Sequence, residues 1–577
     1  MSDFNPLDRA RISTHRSSFD LSSKKLFTAK VGEILPCYWQ IAIPGTKYRI
    51  SSDWFTRTVP VNTAAYTRIK EYYDFYAVPL RLFSRALPQA FTQMTDYVTS
   101  ATSDSRNTDI LQNVPYCNLS DISSYFDSVY NKDRFDDVSL PLCYGSAKLL
   151  DLLGYGSFMS KDAASLEHVT SSYFGHSIAS PTDNPLVYSR SQRVNLLPIF
   201  TYQKIYYDFF SYSQWEKHLA YAYNVDYWPD KVSIVPTKEM LKIRYANYPK
   251  DYFMGVLPNS QYGSVAVLPS IDPTLDSSIV RAYLSPDNPS GVSSLTVPSG
   301  SSSVSVAGTV SNQRSVRLNS DLSALSIRAT EYLQRWKEVV QFSSKDYSDQ
   351  MAAQFGIKAP EYMGNHSHYI GGWSSVININ EVLNTNLDTQ ESQASIAGKG
   401  VGSNQGHTLT YDCGAEHQVI MCVYHAVPML DWELSGQSPQ LTVSAISDFP
   451  QPAFDQLGMQ PVPVLNFHNN LSVQGNGNLG YNLRYWQWKS AVDTIHAGFR
   501  TQGGYKSWVA AVDGEKVLTP DASFSYQSFK VRPQQMNSIF LPQVSGAHSS
   551  VQFDQLLCNV NFQVYAVQNL DRNGLPY

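Results

Sequence analysis

The chain has 577 residues, of which 16% are charged and 13% aromatic, and its formal net charge is −5. Average soluble proteins carry roughly 25% charged residues. Few charges together with 38 tyrosines favour a surface used for contacts with other chains, because interface cores are rich in aromatic residues and poor in lysine and glutamate. The acidic balance excludes a protein that neutralises nucleic acid over its whole surface, since such a protein is strongly basic.

The sequence also argues against export, membrane insertion and metal binding. Met1–Asp20 is polar without an apolar core, so we expect no cleaved signal peptide. The longest apolar runs, such as Val419–Tyr424, are far shorter than the ~20 residues of a membrane helix. The cysteines form no C-x-x-C pair, which predicts reduced and mostly buried thiols rather than a zinc site or disulfide framework: Cys37, Cys117, Cys143, Cys413, Cys422 and Cys558.

Residues 1–30 are predicted to form an extended arm, with six lysines and arginines against three acids. Such cations contact phosphate groups, and Phe4 and Phe19 are suited to stacking on bases. The alternative is an arm that is solvated or lies between subunits. Both interpretations remain open for the candidate contact residues Arg9, Arg11, Arg16, Lys24 and Lys25.

The run Glu71–Phe83 predicts a strand that Pro79 ends, because aromatic and valine residues favour strands and proline cannot donate to a ladder. Shorter strands are predicted before it at Cys37–Ile43 and Tyr48–Ile50. Such a strand must be covered on both sides, by a second sheet of its own chain or by another molecule. Alternation gives it two faces, one with Tyr73, Phe75 and Ala77, the other with Tyr72, Asp74, Tyr76 and Val78.

The middle of the chain reads as long, partly helical excursions. Residues 84–190 are polar and irregular, and a helical pattern then begins at Leu197-Pro198. Residues 259–320 are dominated by serine, glycine, valine, proline and asparagine, which is typical of an exposed variable loop. The apolar spacing from Leu322 to Val340 predicts the clearest helix, with Trp336 as a packing anchor on its apolar face.

Alternating patterns return from Val376 onwards. A chain with strands near both ends and helical excursions between them favours a jelly roll with long insertions over a string of domains. The predicted strands of this part are Val419–Pro428, Tyr481–Trp488, Gln527–Arg532 and Val560–Val567.

No catalytic or cofactor motif is convincing. Gly475–Gly480 matches G-x-G-x-x-G, but the following segment reads as a strand, and the dinucleotide fingerprint requires a helix there. His366 and His368, near Glu361, lack a matching further ligand. We therefore expect no enzyme, cofactor or metal. Two carboxylate pairs occur, Glu71 with Asp74 and Asp431 with Glu433, but sequence spacing cannot show two carboxyls facing each other across a cleft. Asp74 is interpreted as a hydrogen-bonded structural carboxylate.

Several segments resemble, in the same order, the F-type major capsid proteins of the Microviridae, on the gokushovirus-like and Bacteroidetes-phage side of that family. The chain departs from the pattern at Ser211–Ser213, where many relatives carry an Arg-Asp pair. The resemblance spans roughly residues 19–570, with unmatched ground at about 84–190 and 264–315. The similar segments are Tyr72–Phe83, Leu197–Tyr206, Asp251–Gly263, Phe355–Gly364, Ile377–Val382, Phe454–Gly458, and Gly480-Tyr481 with Trp486, Lys489 and Phe499-Arg500.

This resemblance implies an eight-stranded viral jelly roll, an antiparallel β-sandwich with long insertions. Residues 31–577 are then a single domain that follows the basic arm. About 84–250 form a partly helical insertion and 259–320 an exterior loop. Packing or interface anchors are expected at Tyr73, Phe75, Arg81, Tyr252, Phe253, Trp336 and Trp486.

The implied function is a structural one: assembly into a small T=1 icosahedral capsid that encloses a circular single-stranded DNA genome. The implied partners are other capsid subunits, the DNA with a separate small basic protein, a minor virion or pilot protein, and a host surface receptor to which the exterior loop contributes. The implied location is the virion, after assembly in the host cytoplasm, with no membrane contact.

Two other classes remain as alternatives. A secreted β-sandwich that binds or cleaves carbohydrate would use tyrosine and tryptophan platforms, but it requires an export signal. A sequence-independent binder of single strands requires a basic groove, which the pI of about 6.2 disfavours.

Overall fold

The structure is a computed structural model, and it describes most of the chain. The described ranges are 15–61, 65–92, 113–132, 135–156, 192–228, 233–266, 295–296, 305–306, 324–357, 364–383, 396–469, 477–501, 503–521, 523–540 and 554–572.

The fold is mainly β. Within the described ranges the strands are β1 Ser17–Asp20, β2 Ser23–Ala29, β3 Glu33–Ala42, β4 Lys47–Thr58, β5 Ile69–Pro79, β6 Tyr116–Asn118, β7 Arg193–Asn195, β8 Arg244–Tyr245, β9 Leu295–Thr296, β10 Ser305–Val306, β11 His368–Leu383, β12 Ile396–Gln405, β13 Leu409–Asp412, β14 Gln418–Pro428, β15 Trp432–Glu433, β16 Met459–Pro463, β17 Asn478–Leu483, β18 Val512–Asp513 and β19 Leu556–Gln568.

The α-helices of the described ranges contain fewer residues in total than the strands. They are α1 Leu87–Thr92, α2 Leu119–Lys132, α3 Leu142–Leu153, α4 Leu197–Ile205, α5 Lys238–Leu241, α6 Ala324–Phe342, α7 Tyr347–Phe355, α8 Trp486–Lys489, α9 Gly514–Val517 and α10 Pro533–Met536.

One curled antiparallel sheet forms the centre of the molecule. Its strand order is β1-β19-β4-β12-β11-β5-β14-β3-β8, with β2 also paired to β19 and β13 to β4. Strand β11 joins the two halves, because it pairs with β5 over residues 368–377 and with β12 over residues 378–383. The halves fold onto each other, and Phe75 of β5 meets Phe562 of β19 edge-to-face at 5.8 Å between ring centroids. This confirms the jelly-roll β-sandwich; short flanking strands bring its described sheet to eleven strands.

Strand β5 is covered on both faces by its own chain, which answers the question that its sequence raised. Tyr73 and Phe75 are fully buried between the two sheet halves. On the other face, Tyr76 and Val78 are buried against a layer of helices. Tyr76 contacts Phe209 at 4.6 Å between ring centroids, in the π-helical segment Tyr206–Phe210 that continues α4. The alternation predicted from the sequence is confirmed.

The helical layer is built from α1 to α5 and covers the half of the sheet that contains β3, β5 and β14. Helix α4, predicted from Leu197-Pro198, is confirmed, and its Tyr202 hydroxyl donates to the Ile34 carbonyl at 2.9 Å. The apolar cluster at Lys148–Leu153 lies in the last half of α3, which ends where Gly154 adopts a left-handed φ of 85°. Helices α1 to α5 lie within residues 84–250, for which the sequence predicts a partly helical insertion, and the status of this range as an insertion stays a prediction.

Two of the predicted strands near the C-terminus are wrong in part or whole. Gln527–Arg532 is not a strand, because Tyr526–Phe529 forms a 3-10 turn that Ser525 and Ser528 close by reciprocal hydrogen bonds. The strand predicted at Tyr481–Trp488 ends at Leu483. Tyr485 then takes a left-handed φ of 60° and α8 begins.

A buried ionic cluster ties the helical layer to both ends of the sheet. The Lys148 ammonium on α3 lies 2.5 Å from a Glu33 carboxylate oxygen and 3.1 Å from one of Asp554. Lys30 pairs with Asp554 at 2.7 Å. Burial alone would raise the pKa of Asp554, but the two ammonium groups lower it below its ordinary value. The cluster therefore holds as ion pairs, with each charge matched by an opposite one.

A single buried carboxylate sits inside the sandwich. Glu71 of β5 accepts hydrogen bonds from donors on three neighbouring strands, and burial raises its pKa while these donors partly offset the rise. The donors are the Trp54 indole nitrogen at 3.0 Å, Thr56 Oγ1 at 2.7 Å, Ser375 Oγ at 2.5 Å and the Tyr424 hydroxyl at 3.2 Å. Glu71 is thus a structural carboxylate.

Asp74 occupies the opposite face of β5. It accepts from the Tyr369 hydroxyl at 3.0 Å, and burial raises its pKa to about 6. Its other oxygen lies 3.8 Å from Nδ1 of His425, whose pKa burial lowers to about 3, so the ring is neutral near pH 7 and forms no ion pair. Gly372 of β11 is required beside it, because a Cβ there would lie 2.0 Å from Asp74 Oδ1.

Among the described residues, no helix combines the length and apolar character that crossing a membrane requires.

Replacing Lys148 with methionine is expected to lower the melting temperature of the unassembled chain by several degrees. The change leaves Glu33 and Asp554 under-compensated in a buried site, which costs about 3–5 kcal/mol. Thermal unfolding followed by circular dichroism measures the effect. Lys47→Met is the control, since the Lys47–Asp412 pair is more than half exposed and such pairs contribute about 0–1 kcal/mol. Equal melting temperatures for both variants would contradict the assigned role of the cluster.

Asp74→Asn is expected to stabilise the chain in a pH-dependent way. Because the folded-state pKa of about 6 exceeds the ordinary value, the stability that the protonated acid provides is lost as pH rises through 6. The cost of the buried charge is then up to about 3 kcal/mol at pH 8. The melting temperature of the variant should exceed that of the parent most at pH 8 and least at pH 4. Asp521→Asn, at an exposed position, is the control, and a pH-independent gain for Asp74→Asn would refute the explanation.

Candidate assembly surface

Most of the predicted anchor residues lie in the interior of the chain. Tyr73 and Phe75 are buried between the sheet halves, and Trp486 packs partly buried against the same apolar cluster. Tyr252 and Phe253 are buried in that cluster as well, where Phe253 contacts Trp432 and Phe467 at 6.0 and 5.0 Å between ring centroids. These side chains stabilise the fold of one chain.

Arg81 and Trp336 are placed differently from the other predicted anchors. The Arg81 Nε lies 3.0 Å from a Glu416 carboxylate oxygen in a partly exposed pair. Trp336 is 45% exposed on α6. Of these predicted anchors, Trp336 is therefore the one whose large apolar side chain is presented at the surface.

Only some of the candidate arm residues lie within the described ranges. Arg9 and Arg11 lie outside the described residues. Arg16 donates from Nε to the Asn569 side chain at 2.7 Å. Lys24 and Lys25 are exposed on β2, which pairs with the C-terminal strand β19. The described part of the arm is thus an edge of the sandwich that presents three cations to solvent.

Two motifs that the sequence interpretation rejected as metal or dinucleotide sites can be located in part in the structure. His366 Nε2 lies 3.1 Å from the Asp208 carbonyl, and Glu361 lies outside the described residues. In the described ranges no group of three or more histidine, cysteine, aspartate or glutamate side chains is arranged to hold a metal. Gly475 is outside the described residues, and strand β17 begins at Asn478, so the glycine-rich segment leads into a strand rather than a helix.

Helix α6 turns a polar stripe toward its own chain. Gln341 is 3% exposed and pairs with Gln214, whose amide donates to the Gln341 carbonyl at 2.7 Å. Gln334, seven residues before Gln341 on the same helix, donates to the Gln261 side chain at 2.7 Å. Lys337 donates to the Ser264 carbonyl at 2.6 Å. These hydrogen bonds attach the helix, together with an edge-to-face contact between Trp336 and Tyr262 at 6.3 Å between ring centroids.

The apolar residues of α6 point to solvent. Leu325 is 76% exposed and Tyr332 is 68% exposed. These two residues are seven apart and so lie on one face of the helix, next to Trp336. Helix α7 adds Tyr347 and Phe355 beside them, and the Trp336 indole donates to Gln354 of α7 at 3.3 Å. We call this the helix surface: Leu325, Tyr332, Leu333, Trp336, Tyr347 and Phe355.

The sequence identified which residues share a face of α6 but not where that face points. The spacing predicted a core-facing stripe, and the structure places this stripe outside. The missing signal is in the other stripe, where Ser326, Thr330, Gln334 and Gln341 form a row of short polar and amide side chains. Such a row suits hydrogen bonding to the chain's own backbone, whereas a solvent face usually carries charges.

The helix surface has the composition of a protein interface. Tryptophan, tyrosine and arginine dominate the residues that contribute most to binding, and the exposed residues of α6 include Tyr332, Trp336, Arg328 and Arg335. Burying one large apolar side chain stabilises by about 1.5–3 kcal/mol. An apolar row that is exposed to this extent among the described residues is suited to contact with another protein.

Comparison with known proteins shows which proteins the chain is similar to. The family described as capsid protein (F protein) matches residues 169–571, well over half of the chain. The capsid protein VP1 of Chlamydia phage 1 is 23% identical over 201 residues, which cover 33% of this chain and 33% of that protein. The aligned part thus spans about a third of the length of that relative.

Proposed function

Because the chain belongs to the F-type capsid protein family of the Microviridae, we propose that copies of it assemble into a T=1 icosahedral shell around a circular single-stranded DNA genome. Membership of the family gives the chain a structural role in a virion. The finer statements concern the geometry of the shell, its contents and its contact with a host.

The exposed apolar face of α6 is the observation that best supports the proposed shell. A monomer would leave Leu325, Tyr332 and Trp336 in water. Obligate interfaces commonly bury about 2,000–5,000 Å² and resemble a protein core. Contacts between different surfaces of identical chains close into rings when the rotation permits, and an icosahedral shell combines such rings.

The charge of the chain supports a divided task in holding DNA. With a net charge of −5, the subunit itself does not neutralise a genome, so a separate small basic protein is expected to do so. Local contacts with phosphate are assigned to the N-terminal edge of the sandwich, where Arg16, Lys24 and Lys25 are exposed. Residues 259–320 are assigned to the exterior and to host attachment on their composition, since most of them lie outside the described residues.

Trp336→Ala combined with Tyr332→Ala is expected to block shell formation while leaving the folded chain intact. Tyr332 is mostly exposed and Trp336 about half exposed in the single chain, so the melting temperature of unassembled protein should fall only modestly, through the loss of the Trp336 contacts with Gln354 and Tyr262. Truncating central interface aromatics costs about 2 kcal/mol or more each, which raises the protein concentration needed for assembly by at least about tenfold. Sedimentation velocity and negative-stain microscopy of the purified protein measure the assembled fraction.

Trp336→Phe is the matched control, because it keeps an apolar ring and should assemble at an intermediate concentration. Shells formed equally well by the double alanine variant would exclude the helix surface as an assembly contact. Enclosure of DNA is read in parallel: single-stranded DNA in purified wild-type shells should resist nuclease, and DNA digested in intact shells would contradict enclosure.

A further inference from the structure

We propose that the helix surface of one copy docks on a second apolar surface of a neighbouring copy, formed by the loop between Pro439 and Leu457. This inference rests on the proposed shell and names the two faces that meet in one of its contacts. The second surface, called the loop surface, consists of Leu441, Ile446, Phe449, Phe454 and Leu457, all at least half exposed.

Contacts with α8 fix the shape of the loop surface, while its apolar side chains stay at least half exposed. Phe449 packs against Trp488 of α8 at 6.3 Å between ring centroids. Asp455 forms an ion pair with Lys489 on the same helix. Ile446 is the most exposed of the five side chains, at 88%. A chain segment that is fixed by α8 and yet presents five large apolar side chains is arranged as a docking face.

The two surfaces carry opposite charges at their edges. Arg328 and Arg335 on α6 are exposed, seven residues apart, with Glu331 as the one exposed acid between them. Neither arginine forms an ion pair or hydrogen bond within the part of the chain that the structure describes. On the loop surface, the backbone N–H groups of Ala445 and Ser444 donate to Asp448 and lower its pKa, so its exposed carboxylate is ionised at neutral pH.

Self-pairing of the helix surface is disfavoured by the same charges. In a two-fold antiparallel pair of α6 helices, each flank of the helix meets the identical flank of the other copy. Arg328, Glu331 and Arg335 share one flank, and two arginines with one glutamate give it a net charge of +1. Self-pairing therefore brings two flanks of like net charge together, which is unfavourable. The loop surface offers carboxylates and an apolar face instead. The contact is therefore heterologous, which is the type that closes into rings about a symmetry axis.

Charge reversal and its compensation test the pairing. Arg335→Glu alone and Asp448→Lys alone should each raise the concentration needed for shell formation by at least about tenfold. The chain that carries both changes should assemble near the wild-type concentration, because the ion pair is restored in the opposite sense. A 1:1 mixture of the two single variants should assemble more readily than either alone, since it restores some of the contacts.

The fold of each variant is checked separately from its assembly. Asp448→Asn keeps an oxygen that accepts from the backbone of Ala445, so it should fold as the parent does and assemble at a moderately raised concentration; circular dichroism of each variant checks the fold. If wild-type protein forms shells but the doubly reversed chain assembles no better than the worse single variant, the pairing is wrong and the shell stands. If both single variants assemble like wild type, the pairing is also wrong. If wild-type protein forms no shells, the proposed function and this inference both fail.

Discussion

The burial of strand β5 on both faces is the constraint on which the rest of this structure depends. Phe75 and Tyr73 on one face require a second sheet half, and Tyr76 and Val78 on the other require the helical layer. A chain that lost either covering would expose a continuous aromatic surface. Sandwich and insertion are therefore parts of one fold, and the ionic cluster of Lys148, Glu33 and Asp554 connects the insertion to both ends of the sheet.

Because the large aromatic residues of β5 are satisfied inside the chain, its contacts with other chains have to come from elsewhere. In the proposed shell they come from helix α6, which is held by amide hydrogen bonds through Gln334 and Gln341 and exposes several apolar side chains. Under this proposal, different sets of aromatic side chains stabilise the single chain and the shell, which would account for a chain with 13% aromatic residues.

Local patterns predicted the strands and helices well where periodicity and burial agree. Strand β5, helix α4 and the long C-terminal strand β19 could be read from alternation or helical spacing. The same reasoning failed at Gln527–Arg532, where two serines close a turn that apolar alternation does not report. It also could not assign the outward direction of α6, because spacing shows which residues share a face but not which molecule covers that face.

Features that join distant parts of the chain were beyond local reasoning. Lys30, Lys148 and Asp554 meet only because the fold brings the two termini and α3 together. The role of Glu71 was not predicted, because its four donors come from strands that are far apart in sequence. The anchors Tyr252 and Phe253 were expected at packing or interface positions, and the choice between these required the sandwich core itself.

A cryo-EM reconstruction of the particles formed by the purified wild-type chain tests the central claim most directly. The account predicts closed shells of uniform size in which Tyr332 and Trp336 of α6 are buried against a neighbouring copy. Monomers, or shells in which the apolar face of α6 remains in solvent, would contradict it.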